Sequence, residues 1–143
     1  MSSDGFHIEG LEGFYNDLLR IATKECPEAV EAWGEAIAMQ FMKRVAENAN
    51  VDGGRLRASF EAAGDGISGE DSTYIKNVSS DGVDIVAGSN VEYADHVNTG
   101  HKLNDDDETW WEGSHYFDDA YDEVKQEIPR WLTERLKELF DIG

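Results

Sequence analysis

An α+β fold is the class this sequence predicts, and three patterns predict it. Two stretches of helical periodicity open the chain, a glycine-punctuated stretch of alternating residues fills the middle, and a long helical pattern closes it. Apolar residues three and four apart mark one helix face, whereas apolar residues two apart mark one strand face. The architecture expected is a small antiparallel β-sheet packed by a long helix of the N-terminal half and by a C-terminal helix. At 143 residues the chain is one domain's worth. With 40% hydrophobic residues, four Trp, five Tyr and six Phe, it has the material for a packed core. It reads as a single domain over 1–143, with 1–9 as a loose leader.

The elements follow in order. Leu11, Phe14, Tyr15, Leu18, Leu19 and Ala22 share a helical stripe between Leu11 and Lys24. Pro27 suits the first turn of a second helix, where its missing N–H would be unpaired anyway. Along it Val30, Trp33, Ile37, Phe41 and Val45 form the apolar stripe, with Glu28, Glu31, Glu35 and Glu47 largely opposite, and the helix ends near Asn48–Asn50. Asp52-Gly53-Gly54 reads as a turn. The alternation after it reads as a half-buried strand, with Leu56, Ala58 and Phe60 on one face and Arg55, Arg57 and Ser59 on the other. Ala63–Ser72 is a glycine- and acid-rich segment, expected to be a mobile loop. Thr73–Val78 and Val83–Gly88 flank Ser79-Ser-Asp-Gly82 as a β-hairpin.

Tyr93, Ala94 and Val97 then sit at helical spacing, and Thr99-Gly100 ends that turn. Asn104–Glu108 is an acidic loop. Phe117, Tyr121, Val124, Ile128, Leu132, Leu136 and Leu139 carry the last helix from Tyr116 to Phe140, with a kink or break expected near Ile128 because Pro129 interrupts it.

The charge balance narrows the function. Thirty-one acidic against twelve basic residues leave a formal charge of −19, and Arg55 and Arg57 are read as its tight basic pair. A phosphate backbone needs a basic face, so direct nucleic-acid binding is disfavoured. Two readings of the acidity remain: a protein working in concentrated salt, where the Debye length falls to about 3 Å, or a DNA mimic that occupies a DNA-binding enzyme. The acids are spread along the whole chain, which favours the first. No run approaches the ~18 apolar residues of a membrane span, and the start lacks the pattern of a signal peptide. The expected setting is the cytosol, or a particle assembled there.

Candidate chemistry is sparse. Cys26, the only cysteine, precedes Pro27 at a helix junction and reads as an ordinary small residue at a turn. His96 and His101 are five apart, not the four that places two imidazoles on one helix face, so no metal site is expected. Asp105, Asp106 and Asp107 lack the ligand spacing of a calcium loop. Ser59, His96 and a carboxylate could be drawn as a hydrolytic triad, but no nucleophile elbow supports it. No cofactor and no enzymatic activity are expected. Trp110-Trp111 suits packing against the sheet or a neighbouring subunit. Arg55 and Arg57, on one face of a strand, need acidic partners, either in the same subunit or across an interface.

Three segments, Val51-Asp-Gly-Gly-Arg-Leu-Arg-Ala-Ser-Phe60, Val91-Glu-Tyr-Ala-Asp-His-Val-Asn-Thr-Gly-His101 and Trp111-Glu-Gly113, occur in the order seen in a known family. The chain resembles the tail-completion, or head–tail joining, proteins of long-tailed phages over roughly Ala29 to Leu139. It departs from their pattern at Asn50 (usually Pro), Gly53 (usually Thr), Phe60 (usually Trp) and Asn98 (often Glu). The resemblance implies a structural ring at the neck of a tailed virus, between the head connector and the tail terminator or tail tube, with the genome passing through. It also implies a homo-oligomer of roughly six rather than roughly twelve subunits. Candidate interface residues are Arg55, Arg57, Asp105, Asp106, Asp107, Trp110 and Trp111, with Ala63–Ser72 and Asn104–Glu108 as docking loops. The acidic bias adds a halophilic, archaeal host.

Overall fold

The computed structural model describes residues 8–49, 54–99, 101–102, 110–111 and 113–142. Helices α1 (Gly13–Glu25) and α2 (Pro27–Asn48) are joined at Cys26. Its N–H donates to the Ala22 carbonyl at 2.7 Å, and Pro27 starts the next helix directly. Helix α3 (Gly54–Gly64) leads to strands β1 (Ser72–Ser79) and β2 (Gly82–Ser89). A short α4 (Ala94–Thr99), a two-residue ladder between β3 (His101–Lys102) and β4 (Trp110–Trp111), and the long α5 (Tyr116–Leu139) complete the chain.

The α+β class holds, and the hairpin forms where the sequence places it. Ser79 pairs with Gly82 across a two-residue turn. Gly82 has φ +137°, a conformation closed to most side chains, and the Ser79 hydroxyl accepts the Asp81 N–H at 3.2 Å. One face of the hairpin lies on α2, where a Cβ on Gly34 would meet Val83 Cγ1 at 2.7 Å. The absence of a side chain at position 34 is what lets strand and helix approach so closely.

Two clusters share the interior. The first joins Met42, Val45 and Ala46 of α2 with Leu56, Phe60 and Ala63 of α3, Val91, and Tyr116 and Ala120 of α5. Ala87 of β2 and Phe117 pack against it. The second joins Leu19 and Ala22 of α1, Val30 of α2, and Leu132 and Leu136 of α5. The C-terminal half of α2 thus meets the start of α5, and the N-terminal half of α2 meets its end, so the two long helices run antiparallel. Arg44 reinforces the pair, 3.4 Å from carboxylate oxygens of Glu123 and Glu127.

Several expectations change. The segment read as a strand at Leu56–Phe60 is helix α3. Leu56 and Phe60, four apart, are buried, but Ala58 is exposed and Ser59 is buried. The alternation and the helical stripe share the same residues over so short a window. The segment has no Val, Ile or Thr, and Ala62-Ala63 extends the helical option, so propensity settles it as helix. Helix α5 is continuous through Pro129 with no break. Pro129 is half-buried with Gly10 against its ring, and the packing of Leu132 and Leu136 offsets an interior proline, whose lost hydrogen bond and ring clash together cost about 3 kcal/mol. Helix α1 starts at Gly13, after Leu11, and leaves Phe14 of the expected stripe exposed. Glu31 and Glu35, expected on the open side of α2, face the hairpin instead.

The segment 65–71 is tied down rather than open. Ile67 N–H donates to Ala62 at 2.9 Å, Gly69 N–H to Ser72 at 2.9 Å, and the Asn90 N–H reaches Asp71 at 2.8 Å. Ser68 Oγ accepts the Tyr74 N–H at 2.7 Å. At the other end of the chain, the Ile8 N–H donates to Asn16 Oδ1 at 2.8 Å.

Candidate assembly interface

Arg55 projects from the first turn of α3 and ties three chain segments together. Its Nε and Nη2 donate to both oxygens of Asp71, at 3.0 and 2.9 Å, while Nη1 reaches Glu92 at 3.1 Å. This bidentate fork matches the guanidinium plane to the carboxylate. The hydrogen bonds from Arg55 hold Asp71 below its ordinary pKa. Glu92 is lowered too, first by its own backbone N–H and then by Arg55. Asp71 and Glu92 in turn hold the guanidinium above its usual value.

Arg57 takes no part in this clamp. On a helix, residues two apart point about 200° away from each other, so the shared face expected for Arg55 and Arg57 does not exist. Arg57 instead pairs along α3 with Glu61 at 3.6 Å, an exposed contact. The partners of both arginines in this chain lie within the same subunit.

A second polar constellation roots the hairpin. Lys76 Nζ lies 2.6 Å from Glu31 and 3.1 Å from Glu35, all three half-buried. The Tyr74 hydroxyl donates to Glu35 at 3.2 Å. Glu31 and Glu35 raise the Lys76 pKa, while burial and then the Glu35 charge raise that of Tyr74. One face of the hairpin is thereby committed to α2. The other face carries Thr73, Ile75 and Asn77 of β1 opposite Gly88, Val86 and Asp84 of β2. Ile75 and Val86, directly paired, are exposed, and space over Gly88 is open.

The remaining sequence candidates are placed as follows. Asp105, Asp106 and Asp107, with the rest of the Asn104–Glu108 loop, lie outside the described residues. Trp110 and Trp111 form β4, paired in register with Lys102 and His101. Ser59 is buried, donating to the Leu56 carbonyl at 2.6 Å and 2.6 Å from Ser89 Oγ, so its hydroxyl serves structure. Among the described residues no group of three or more His, Cys, Asp and Glu could hold a metal ion. No described helix is long and apolar enough to cross a membrane.

Two structural roles escaped sequence reasoning. Asn98, at the end of α4, caps α5 through its side chain. Lys76, unremarkable in sequence, anchors the hairpin. Neither carries a local signal, because the partners lie 19 and 45 residues away respectively.

The described residues form a helical frame with an ionically rooted hairpin and salt-bridged surface segments. Over residues 13–100 the chain matches the family described as "Bacteriophage HK97-gp10, putative tail-component". The chain belongs to this family, which is one of structural phage tail components. No curated protein and no solved structure matches the chain.

Proposed function

We propose that the protein is a ring-forming subunit at the neck of a tailed virus, joining the head connector to the tail terminator or tail tube. Membership of the tail-component family across residues 13–100 carries this reading. The ring has roughly six subunits and acts by shape complementarity and closure, without turnover. Each copy brings a formal charge of −19, so the lumen repels DNA phosphates and lets the genome slide through unbound. The same charge suits a halophilic host, an archaeon in this reading. The subunit is made in the host cytoplasm and ends in the virion. In this reading Arg55, Arg57, Asp105, Asp106, Asp107, Trp110 and Trp111 contact neighbouring subunits.

Labelled subunits imaged in purified particles test this reading. A label at the head–tail junction, with unjoined heads and tails when the protein is deleted, is the expected result. Complete particles from the deletion, or a label elsewhere, would sink it.

A further inference from the structure

We propose that copies of this chain meet head to tail, the outer hairpin face of one seated on the Phe14–Ile21 face of α1 in the next. The inference rests on the ring reading above and names its contact. Each patch combines exposed apolar area with low net charge. On the hairpin, Ile75 and Val86 are 50% and 60% exposed and pair directly across the strands. Asp84 is the only charged residue on that outer face. On α1, Phe14 and Ile21 are 58% and 47% exposed and stand seven residues apart, two helical turns along one face. Helix α1 carries Asp17 and Glu25 against Arg20 and Lys24, a balance of two acids and two bases.

Charge decides what can cover these faces. Two copies that each carry −19 repel wherever acidic surfaces meet. The least costly approach brings together the surfaces with the fewest acids. Lys24, exposed and three residues beyond Ile21, also offers a cation to Asp84 of the arriving hairpin. β1 contributes no acid at all from Ser72 to Ser79. The outer face of β1 therefore adds no negative charge to the repulsion between copies.

The directions of the patches favour a repeating contact. Thr23 lines a crevice with Val78 and Val83 at the hairpin tip. Ile21 lies about 160° around α1 from Thr23, so the α1 patch looks away from its own hairpin. Two unlike patches on opposite sides of one chain make a heterologous contact, which closes into a ring when the rotation allows. An isologous dimer would cover one kind of patch and leave the other bare.

Sedimentation of the full chain in molar potassium chloride tests this, with Val86→Glu and Phe14→Glu as separate variants and circular dichroism to verify folding. Wild type should assemble, and each variant alone should associate roughly tenfold or more weakly. An equal mixture of the two should form dimers, because each variant keeps one sound patch and those two meet once. If either charged variant fails to fold, Val86→Thr and Phe14→Ser make the same comparison. Wild type that stays monomeric at millimolar concentration overturns the contact. So do variants that assemble like wild type, as when another part of the chain covers the patches, and a mixture that stays monomeric. Loss of assembly in only one variant also overturns it, since that points to a hairpin-to-hairpin contact or an unlike partner. None of these results bears on the imaged position of the subunit in particles.

Discussion

The Asn98 side chain accepts the backbone N–H of Phe117 at 2.9 Å and that of Asp118 at 3.2 Å. It therefore caps α5 from a different helix, while its own carbonyl accepts the His115 N–H at 3.0 Å. His115 sits in the left-handed region at φ 57° and makes no side-chain cap of its own. The first turn of α5 would otherwise leave these donors unpaired beside the core. Tyr116 completes the junction, its hydroxyl donating to the Ala94 carbonyl at 3.0 Å. Burial, with the Asp95 charge second, pushes the Tyr116 hydroxyl up to about 12.

Asn98→Ala should therefore lower stability by about 1 kcal/mol, the usual cost of a lost N-cap, with up to about 2 because the site is buried. Asn98→Asp keeps the acceptor and should recover most of that loss. Urea titrations of the three proteins at neutral pH give the comparison, and an alanine variant as stable as wild type would dismiss the cap.

Phe60→Ala should cost about 3–5 kcal/mol, since Phe60 is 3% exposed and contacts the Tyr116 ring edge-on at 5.7 Å between centroids. Ala58→Gly tests the backbone at the same place. On the exposed face of a helix it should cost about 1 kcal/mol through backbone freedom alone. Amide exchange would then show faster opening across Arg55–Ala63.

The Arg55 clamp makes stability depend on acid. Asp71 and Glu92 both have lowered pKa values in the folded chain. Their contribution is thus present above the ordinary carboxylate range, about 4, and is lost as pH falls through the lowered values. Asp71→Asn should melt below wild type at neutral pH, and the gap should close as pH falls through the lowered Asp71 value. The pair is exposed enough that molar salt should narrow the gap as well. A gap that is constant from neutral pH to pH 2 would show that Asp71 acts without its charge.

Gly34→Ala should destabilise the hairpin contact. Alanine gains about 1 kcal/mol of helix propensity there, but its Cβ would meet Val83 at 2.7 Å. Overpacking of a stiff β-branched neighbour costs about 1–3 kcal/mol, so the clash should win. Adding Val83→Ala removes the colliding methyl and should restore stability. If the double variant melts no higher than Gly34→Ala, the close approach is not what position 34 protects.

Salt should raise the melting midpoint steeply from low to multi-molar potassium chloride. The repulsion of a −19 chain is the reason, and a Debye length near 3 Å at 1 M removes most of it. A flat profile would remove the halophile reading.

Residues close in sequence settled much of this protein. Pro27 and the stripe from Val30 to Val45 define α2, and Ser79-Ser-Asp-Gly82 defines the hairpin, because each pattern is local and its physics is complete within a few residues. The order of the Val51–Phe60 and Val91–His101 segments was enough for the family. The Leu56–Phe60 segment marks the limit. Five residues fit a strand and a helix alike, and the choice depended on Ala62, Ala63 and the packing of Phe60 against α5.

Only the tertiary structure decided where charges meet. Arg55 and Arg57 look like a pair in sequence, yet one clamps Asp71 and Glu92 while the other lies along α3 beside Glu61. Lys76 finds Glu31 and Glu35 across 45 and 41 residues, and Asn98 finds the start of α5 across 19. The exposure of Phe14, Ile75 and Val86 is of the same kind, since the sequence marks them as apolar and only packing shows which apolar residues stay exposed. Periodicity reports the face a residue shares with its own element; what stands opposite that face depends on how the chain returns.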